Sequence, residues 1–331
     1  MSKLMNLMMC LVLASCMLTG CGSKEAAAEP VEAAAGESDQ VSAPTEEAGS
    51  EEVLPVVADD PRNQDAIGEK ELLVVSVGSA DPESRSLAIG SVEKDLEEAF
   101  PGWSVRRAFT CQDTIDRIRQ EEGVDIDSVA QALERAVDNG VKTLVIQPTH
   151  LLDSQAHRDL LAVVDEYADR FEQLAVGEPL IADEEDFKAM AQLLADATAD
   201  YDDGQTAIVF VGMGTQTEDN DLYAGLQQEL TNLGKPNCYV GTEEAVPGLE
   251  EVLDEVKEVQ YSRVVLHPLK LAVDENGTCD PSAKDSAAWQ QAFENAGYET
   301  VCIEEGLGQL EGVRALTVQH AQAAVDSPQA K

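Results

Sequence analysis

The Gly212-Met213-Gly214 turn combines a permissive backbone with a side chain that can coordinate a metal. It follows the apolar run 207–211, which is typical of a buried strand whose carboxyl end is open to a ligand. The two glycines allow a close backbone approach to a ligand, or simply an ordinary sharp turn. The sequence therefore places Met213 at the mouth of a sheet, either as an axial ligand to a bound haem or as a soft packing residue.

The chain has four histidines, and imidazole is a ligand that suits cobalt, iron, nickel and zinc. His267 immediately precedes a predicted turn at Pro268, and His150 follows the corresponding turn of an earlier segment. His157, His267 and His150 are the candidate metal ligands; the alternative for His157 is a solvated side chain on an acidic surface, and the alternative for His150 is a structural role. His320 falls on the last predicted helix and has no assigned role.

The charge of the chain excludes some classes of partner. It carries 22 Lys and Arg against 64 Asp and Glu, a formal net charge of −42. Such a surface repels nucleic acid and anionic lipid headgroups. Its 331 residues are enough for one large or two ordinary domains.

Residues 1–20 are predicted to be a lipoprotein signal peptide. Lys3 precedes an apolar run over 4–18 that is too short to span a membrane, and Leu18-Thr19-Gly20-Cys21 follows. This pattern resembles a bacterial lipoprotein signal, which is cut before a cysteine that carries diacylglycerol. We therefore expect an exported protein, anchored by Cys21 to the outer face of a bacterial membrane and contacting the membrane through that lipid only.

Three further segments follow the signal peptide. Residues 21–70 are rich in Ala, Glu, Ser, Pro and Gly and predict a disordered acidic tether. Residues 71–203 form a predicted N-terminal α/β lobe, and residues 204–331 form a C-terminal α/β lobe with a closing helix. Four cysteines remain in these lobes without zinc-like or disulfide-framework spacing: Cys111, Cys238, Cys279 and Cys302.

Apolar β-branched runs alternate with segments of helical periodicity in both lobes. The predicted strands cover residues 72–78, 103–110, 141–148, 174–176, 207–214, 238–242 and 298–303. The main predicted helices cover residues 82–100, 114–122, 129–138, 184–198, 222–233 and 310–325. The stretches 128–148 and 248–268 align without gaps, so the second lobe repeats the pattern of the first.

This alternation predicts an α/β fold of two similar lobes, each a parallel four-stranded sheet flanked by helices. Ligands of such sheets bind outside the carboxyl ends of the strands. We therefore expect a cleft between the lobes, lined by the turns at Gly78, Pro148, Gly214 and Pro268.

Short motifs run in a fixed order through the two lobes, at residues 73–79, 106–110, 123–127, 146–150, 177–180, 212–215, 240–242 with Glu244 and Pro247, 268–269 and 306–308. This series resembles the anaerobic-type sirohydrochlorin cobaltochelatases, which are class II tetrapyrrole chelatases. The resemblance covers about residues 72–325 and implies the chelatase fold. It also implies a role in cobalamin biosynthesis, with cobalt and a tetrapyrrole as substrates.

The resemblance further implies a base and metal ligands at three positions. In the family these are a His in Gly-His-Gly, a His late in Pro-Leu-x-Leu-x-Ala-Gly-Asp-His, and a Glu after the Pro-Leu-His turn. The corresponding residues here are Met213, Asn276 and Ala156. Because a thioether or an amide cannot accept a proton at neutral pH, the family's catalytic residues are interpreted as replaced.

Two kinds of ligand remain open for the predicted cleft. A divalent metal, cobalt or another, could be held by relocated ligands among His157, His267, His150, Met213, Asp153, Asp274 and Glu275. A tetrapyrrole, haem included, would contact Gly78, Ser79, Met213, Gly214, Thr215 and Glu244.

The leading hypothesis is a lipoprotein of the cobaltochelatase family that binds a tetrapyrrole or metal without family-type insertion. One alternative is an active cobaltochelatase with relocated ligands. A second alternative is a transport-type substrate-binding lipoprotein, which is disfavoured because the lobes of such proteins usually exchange strands. A third alternative is an interaction scaffold with an empty cleft. The sequence does not indicate an oligomeric state.

Overall fold

A computed structural model describes residues 60–214, 221–273, 282–327 and 329–330, all within one compact unit, Leu54–Lys331. The predicted signal peptide, Cys21, Thr215, Asn276 and Cys279 lie outside the described residues. Among the described helices, none is long and apolar enough to cross a membrane.

The strands form two sheets with the same order of parallel strands. The first sheet runs β2-β1-β3-β4-β9 and the second runs β6-β5-β7-β8. The first contains β1 Lys70–Ser76, β2 Ser104–Phe109, β3 Thr143–Pro148, β4 Gln173–Val176 and β9 Gln329–Ala330. The second contains β5 Thr206–Gly212, β6 Cys238–Thr242, β7 Arg263–Pro268 and β8 Glu299–Cys302. The predicted pair of parallel four-stranded sheets is confirmed, and the short antiparallel β9 is an addition at one edge.

Helices cover both faces of each sheet. They are α1 Pro82–Ser84, α2 Ser91–Ala99, α3 Gln112–Glu122, α4 Val129–Asp138, α5 Gln155–Tyr167, α6 Glu184–Ala197, α7 Asp221–Asn232, α8 Leu249–Lys257, α9 Ser282–Asn295 and α10 Glu311–Asp326. A π-helical turn, Arg85–Gly90, joins α1 to α2, so the predicted helix 82–100 is one helical segment with a local change of winding.

Alternation along β1 explains why both faces are covered. Leu73 and Val75 pack on one side, in a core with α4 and α5, while Leu72 and Val74 pack on the other side with α2 and α10. Every one of these side chains is at most 1% exposed. A parallel strand buried on both faces reads as a continuous apolar run, which is how the sequence revealed it.

Two helices cross between the halves of the chain. Met190 and Leu194 of α6 pack with Phe210 of β5, although α6 precedes the second sheet. Ala321 and Ala324 of α10 pack with the first sheet, at the far end of the chain. Apart from the short β9, the strands divide between the sheets in sequence order, whereas each half of the chain covers part of the other half's sheet with a helix.

The predicted tether extends too far, because residues 60–69 pack on the first sheet. The Arg107 N–H donates to the Arg62 carbonyl at 3.2 Å, and Arg62 Nε lies 3.1 Å from a Glu93 carboxylate oxygen. Ala66 N–H donates to Asn139 Oδ1 at 2.8 Å. These polar contacts order a segment whose low apolar content had predicted disorder.

The arginine pair in β2 has a structural role. Arg106 bonds Glu71 at 2.9 Å and Arg107 bonds both oxygens of Glu93 at 2.7 Å, with all four side chains buried. Burial raises the pKa of Glu71 to about 7, against the opposing effect of Arg106. Cys111 is disulfide-bonded, while Cys238 and Cys302 are free thiols.

Candidate functional site

A cavity of about 170 Å³ lies at the carboxyl ends of β1, β3, β5 and β7, where both halves of the chain contribute. Its walls are chiefly apolar and contain no Asp or Glu among the described residues. The lining residues are Ser76, Val77, Gly78, Ile89, Thr149, His150, Leu151, Leu152, Ser154, Ala156, Met213, Gly214, Tyr223, Leu269, Lys270, Leu271 and Ala272. The cavity thus lies where the strand pattern had placed a ligand site.

Two glycines with positive φ shape the turns after β1 and β5. Gly78 has φ 102° and Gly214 has φ 82°. A Cβ at Gly78 would lie 2.6 Å from the Phe109 ring, and a Cβ at Gly214 would lie 2.8 Å from Thr242 Cβ. Both positions require glycine, because the backbone conformation and the surrounding space each exclude a side chain.

The turns after β3 and β7 are held by equivalent backbone bonds. The Thr149 N–H donates to the Val75 carbonyl at 2.9 Å, and the Leu269 N–H donates to the Val211 carbonyl at 2.8 Å. One residue further on, the carbonyls of His150 and Lys270 accept from Leu180 and Leu307 at 2.9 and 2.7 Å. His150 and Lys270 are therefore equivalent positions in the two halves.

His150 is a buried imidazole that lines the cavity without a hydrogen-bond partner. It is 6% exposed, and neither Nδ1 nor Nε2 has a hydrogen-bond partner among the residues that the structure describes. Burial, and secondarily His157, lowers the pKa of His150 to about 4. At neutral pH the ring is therefore uncharged and has a lone pair available.

His157 lies beside His150, with ring centroids 5.9 Å apart. It is 6% exposed, so the expectation of a solvated side chain is wrong for this residue. Its Nδ1 lies 3.2 Å from Asp153 Oδ1, while Nε2 is buried and has no hydrogen-bond partner in the described part of the chain. His157 stands on α5 behind His150 and is not among the residues that line the cavity.

His267 lies apart from the other two candidate ligands. It lines a separate hollow together with Cys302, Glu304 and Glu305. Its Nδ1–H donates to the Pro268 carbonyl at 2.9 Å, as Gln147 Nε2 donates to the Pro148 carbonyl at 2.8 Å in the first half. Burial lowers the pKa of His267. Its contacts are those of a turn-stabilising residue.

The family-type catalytic positions are partly described. Met213 lines the cavity, and its carbonyl accepts from the Glu244 N–H at 2.9 Å. Ala156 also lines the cavity, on the first turn of α5. Among the residues that the structure describes, no group of three or more His, Cys, Asp or Glu side chains is placed to hold a metal ion.

Two predicted tetrapyrrole contacts have other surroundings. Ser79 is fully buried, and its hydroxyl donates to the Val273 carbonyl at 3.4 Å, which joins the two halves beside the cavity. Glu244 is exposed and is not a lining residue. Its neighbour Glu243, whose side chain is 2% exposed, instead accepts from Lys270 Nζ at 3.2 Å.

The sequence reasoning missed Lys270, the charged lining residue of the second half. The alignment of 128–148 on 248–268 contained the signal, because extending it by two residues pairs His150 with Lys270. His320 bridges the crossing helices, with Nε2 3.2 Å from Asp186 Oδ1.

The two sheets and their shared cleft define a chelatase-type fold, and sequence comparison gives the family. The model of the cobalt chelatase (CbiK) family matches residues 70–326, so the chain belongs to that family.

The chain is similar to two proteins named sirohydrochlorin cobaltochelatase. The one from Salmonella typhimurium is 28% identical over 257 residues, covering 78% of this chain and 97% of the relative. The one from Nitratidesulfovibrio vulgaris is 28% identical over 261 residues, covering 78% and 91%. SirB from Bacillus subtilis has a similar fold, with a TM-score of 0.54 and 15% identity over 78% of this chain and 96% of SirB.

Proposed function

We propose that this chain binds a tetrapyrrole in the cavity between its two halves and does not insert cobalt by the family's mechanism. The observation that carries the proposal is the composition of the cavity wall. It keeps the glycine turns and the apolar surface, yet it contains Met213 and Ala156 at positions where the resemblance implies a ligand and a base.

Metal insertion requires a group that takes protons from two pyrrole nitrogens. General-base help is typically worth about 10²–10⁴-fold in rate. No carboxylate lines the cavity among the described residues, and the low pKa of His150 makes its imidazole a weak base at neutral pH. These features support binding without turnover.

The same wall suits the faces of a flat macrocycle. Apolar side chains from both halves of the chain can cover these faces. Typical ligand pockets enclose about 300–1,000 Å³. Because this cavity has about 170 Å³, we expect a bound macrocycle to widen the space between the halves.

We also propose export and lipid anchoring at Cys21, on the evidence of the sequence motif. The change Cys21→Ser is expected to release the protein from the membrane fraction or to leave the precursor uncut. Unchanged membrane association at the mature size would contradict this part of the proposal.

An absorbance titration tests the binding proposal. Sirohydrochlorin added to the purified protein is expected to give a saturable spectral shift. Cobalt(II) added afterwards is expected to produce no cobalt–sirohydrochlorin above the uncatalysed rate. The absence of any saturable shift would reject tetrapyrrole binding.

An active cobaltochelatase with relocated ligands is the second candidate, favoured by the proximity of His150 and His157. In that case the purified protein would insert cobalt, and both His150→Leu and His157→Leu would abolish insertion. Activity retained in both variants would exclude these two imidazoles as the relocated groups.

A further inference from the structure

We propose that the ligand of the cleft is a tetrapyrrole that already contains its metal, and that His150 coordinates this metal as an axial ligand. The inference rests on the proposed function and names the class of ligand more narrowly. His150 lies outside the three positions, Met213, Asn276 and Ala156, at which the resemblance implies the family's base and metal ligands.

The unpartnered imidazole of His150 is the first support. A buried polar group without a hydrogen bond typically costs about 1–3 kcal/mol. His150 has two such atoms in a wall that is otherwise mostly apolar. A metal that accepts a lone pair satisfies one of these two ring nitrogens when the cavity is filled.

Hydrogen bonds fix the backbone on both sides of His150 before any ligand arrives. The Thr149 N–H and the Thr149 hydroxyl both donate to the Val75 carbonyl, at 2.9 and 3.3 Å. The His150 carbonyl accepts from Leu180 at 2.9 Å. Coordination therefore requires little reorganisation of the backbone at this position.

Among the described residues, the available ligands suit a metallated macrocycle better than a free ion. A free divalent transition metal typically takes about four protein or water ligands. The described residues contain no group of three or more His, Cys, Asp or Glu side chains for it. A metal inside a tetrapyrrole already has its ring nitrogens and needs only one or two axial ligands, which the cavity provides.

Met213 is the second axial candidate, since it lines the same cavity from the other half of the chain. Imidazole and thioether together form an established axial pair for iron in macrocycles. Coordination by His150 is the donation of a lone pair from a neutral ring, so it releases no proton and transfers no electron.

The test compares sirohydrochlorin with its cobalt complex on the purified protein, by visible absorbance titration. The parent is expected to bind the cobalt complex at least about tenfold more tightly than the metal-free macrocycle. This factor is taken from the loss of metal affinity that is typical when the groups supporting a metal ligand are mutated. His150→Leu is expected to make the two affinities equal and to remove the ligation shift of the cobalt complex. His150→Met is expected to give the bound cobalt complex an absorption maximum at a wavelength different from that in the parent.

His320→Gln is the matched control, because His320 is also a buried imidazole but does not line the cavity. It is expected to keep the parent's affinities and spectra. Thermal melting shows whether each variant is folded, and His150→Leu is expected to melt no lower than the parent, since it removes two unpartnered polar atoms.

The possible outcomes separate this inference from the proposed function. Equal affinity of the parent for both forms, with a spectrum that His150→Leu leaves unchanged, would overturn the inference while leaving tetrapyrrole binding in place. No binding of either form would overturn both. Tighter binding of the cobalt complex that is lost in His150→Leu and kept in His320→Gln would support both.

Discussion

The two halves of the molecule form the cleft with the same backbone and with different side chains. Thr149 and Leu269 make equivalent bonds to Val75 and Val211, and Gly78 and Gly214 turn with similar positive φ. At the next equivalent position the first half has His150, without a partner, while the second half has Lys270, paired with Glu243.

This difference separates structural groups from groups available to a ligand. The charge of Lys270 is compensated by a carboxylate that is itself buried. Among the described residues, neither ring nitrogen of His150 has a hydrogen-bond partner, although equivalent backbone hydrogen bonds hold His150 and Lys270. A polar group that the fold positions without satisfying is a candidate for ligand binding.

Removing the two equivalent side chains is expected to have opposite effects on stability. Lys270→Leu should lower the free energy of unfolding by about 3 kcal/mol, because the buried Glu243 carboxylate loses its ammonium partner. His150→Leu should leave it unchanged or raise it by up to about 1 kcal/mol. Equilibrium unfolding by denaturant measures both.

The double change Lys270→Leu with Glu243→Leu is the control, and it should recover most of the loss because no unpaired charge remains. A large destabilisation by His150→Leu would mean that the imidazole has a structural role, and the contrast between the halves would fail.

Substituting the paired glycines is expected to damage both halves alike. Gly78→Ala and Gly214→Ala place a Cβ within 3.0 Å of neighbouring atoms, so each should cost about 2–3 kcal/mol. Gly140→Ala is the control, because Gly140 also has positive φ but has no atom within 4 Å of the added Cβ. Its cost should be about 1 kcal/mol. Equal costs at all three positions would show that close packing at the cleft contributes nothing.

Much of the fold could be predicted because it follows from local patterns. Apolar runs buried on both faces gave the strands, and the repeat of 128–148 in 248–268 gave two similar sheets. The position of the cleft followed from the parallel strands. The crossing of α6 and α10 could not be predicted, since amphipathic periodicity does not specify which sheet covers a helix.

The site was harder to predict because side-chain environment depends on distant contacts. The sequence does not distinguish the three candidate histidines. In the structure, His150 lines the cavity, His157 lies behind His150, and His267 lines a separate hollow. Ser79 lay in a glycine turn that suggested ligand contact, but its hydroxyl bonds Val273, far away in the chain. In the sequence, His267 can be identified as a turn residue only because it occupies the position equivalent to Gln147 in the repeat.

The smallest expected effect concerns this last pair. His267→Gln installs the side chain that its equivalent, Gln147, already has, so stability at pH 7 should change by less than about 1 kcal/mol. Burial lowers the folded pKa of His267 below its ordinary value of 6.5, so the unfolded state binds more protons and stability falls as pH drops below about 6.5. The variant should lose the fall in stability that protonation of His267 causes, which is measured by following the melting temperature as a function of pH. An unchanged pH profile would contradict a buried neutral His267.

One absorbance experiment tests whether the protein binds a tetrapyrrole without inserting cobalt. The purified protein, saturated with sirohydrochlorin, receives cobalt(II) beside the Salmonella relative and a Met213→His, Asn276→His, Ala156→Glu variant. In the parent, we predict a bound macrocycle whose spectrum does not change when cobalt is added. In the relative and, more slowly, in the variant, we predict cobalt-dependent conversion. Conversion by the parent at a rate comparable with that of the relative would contradict the prediction for the parent.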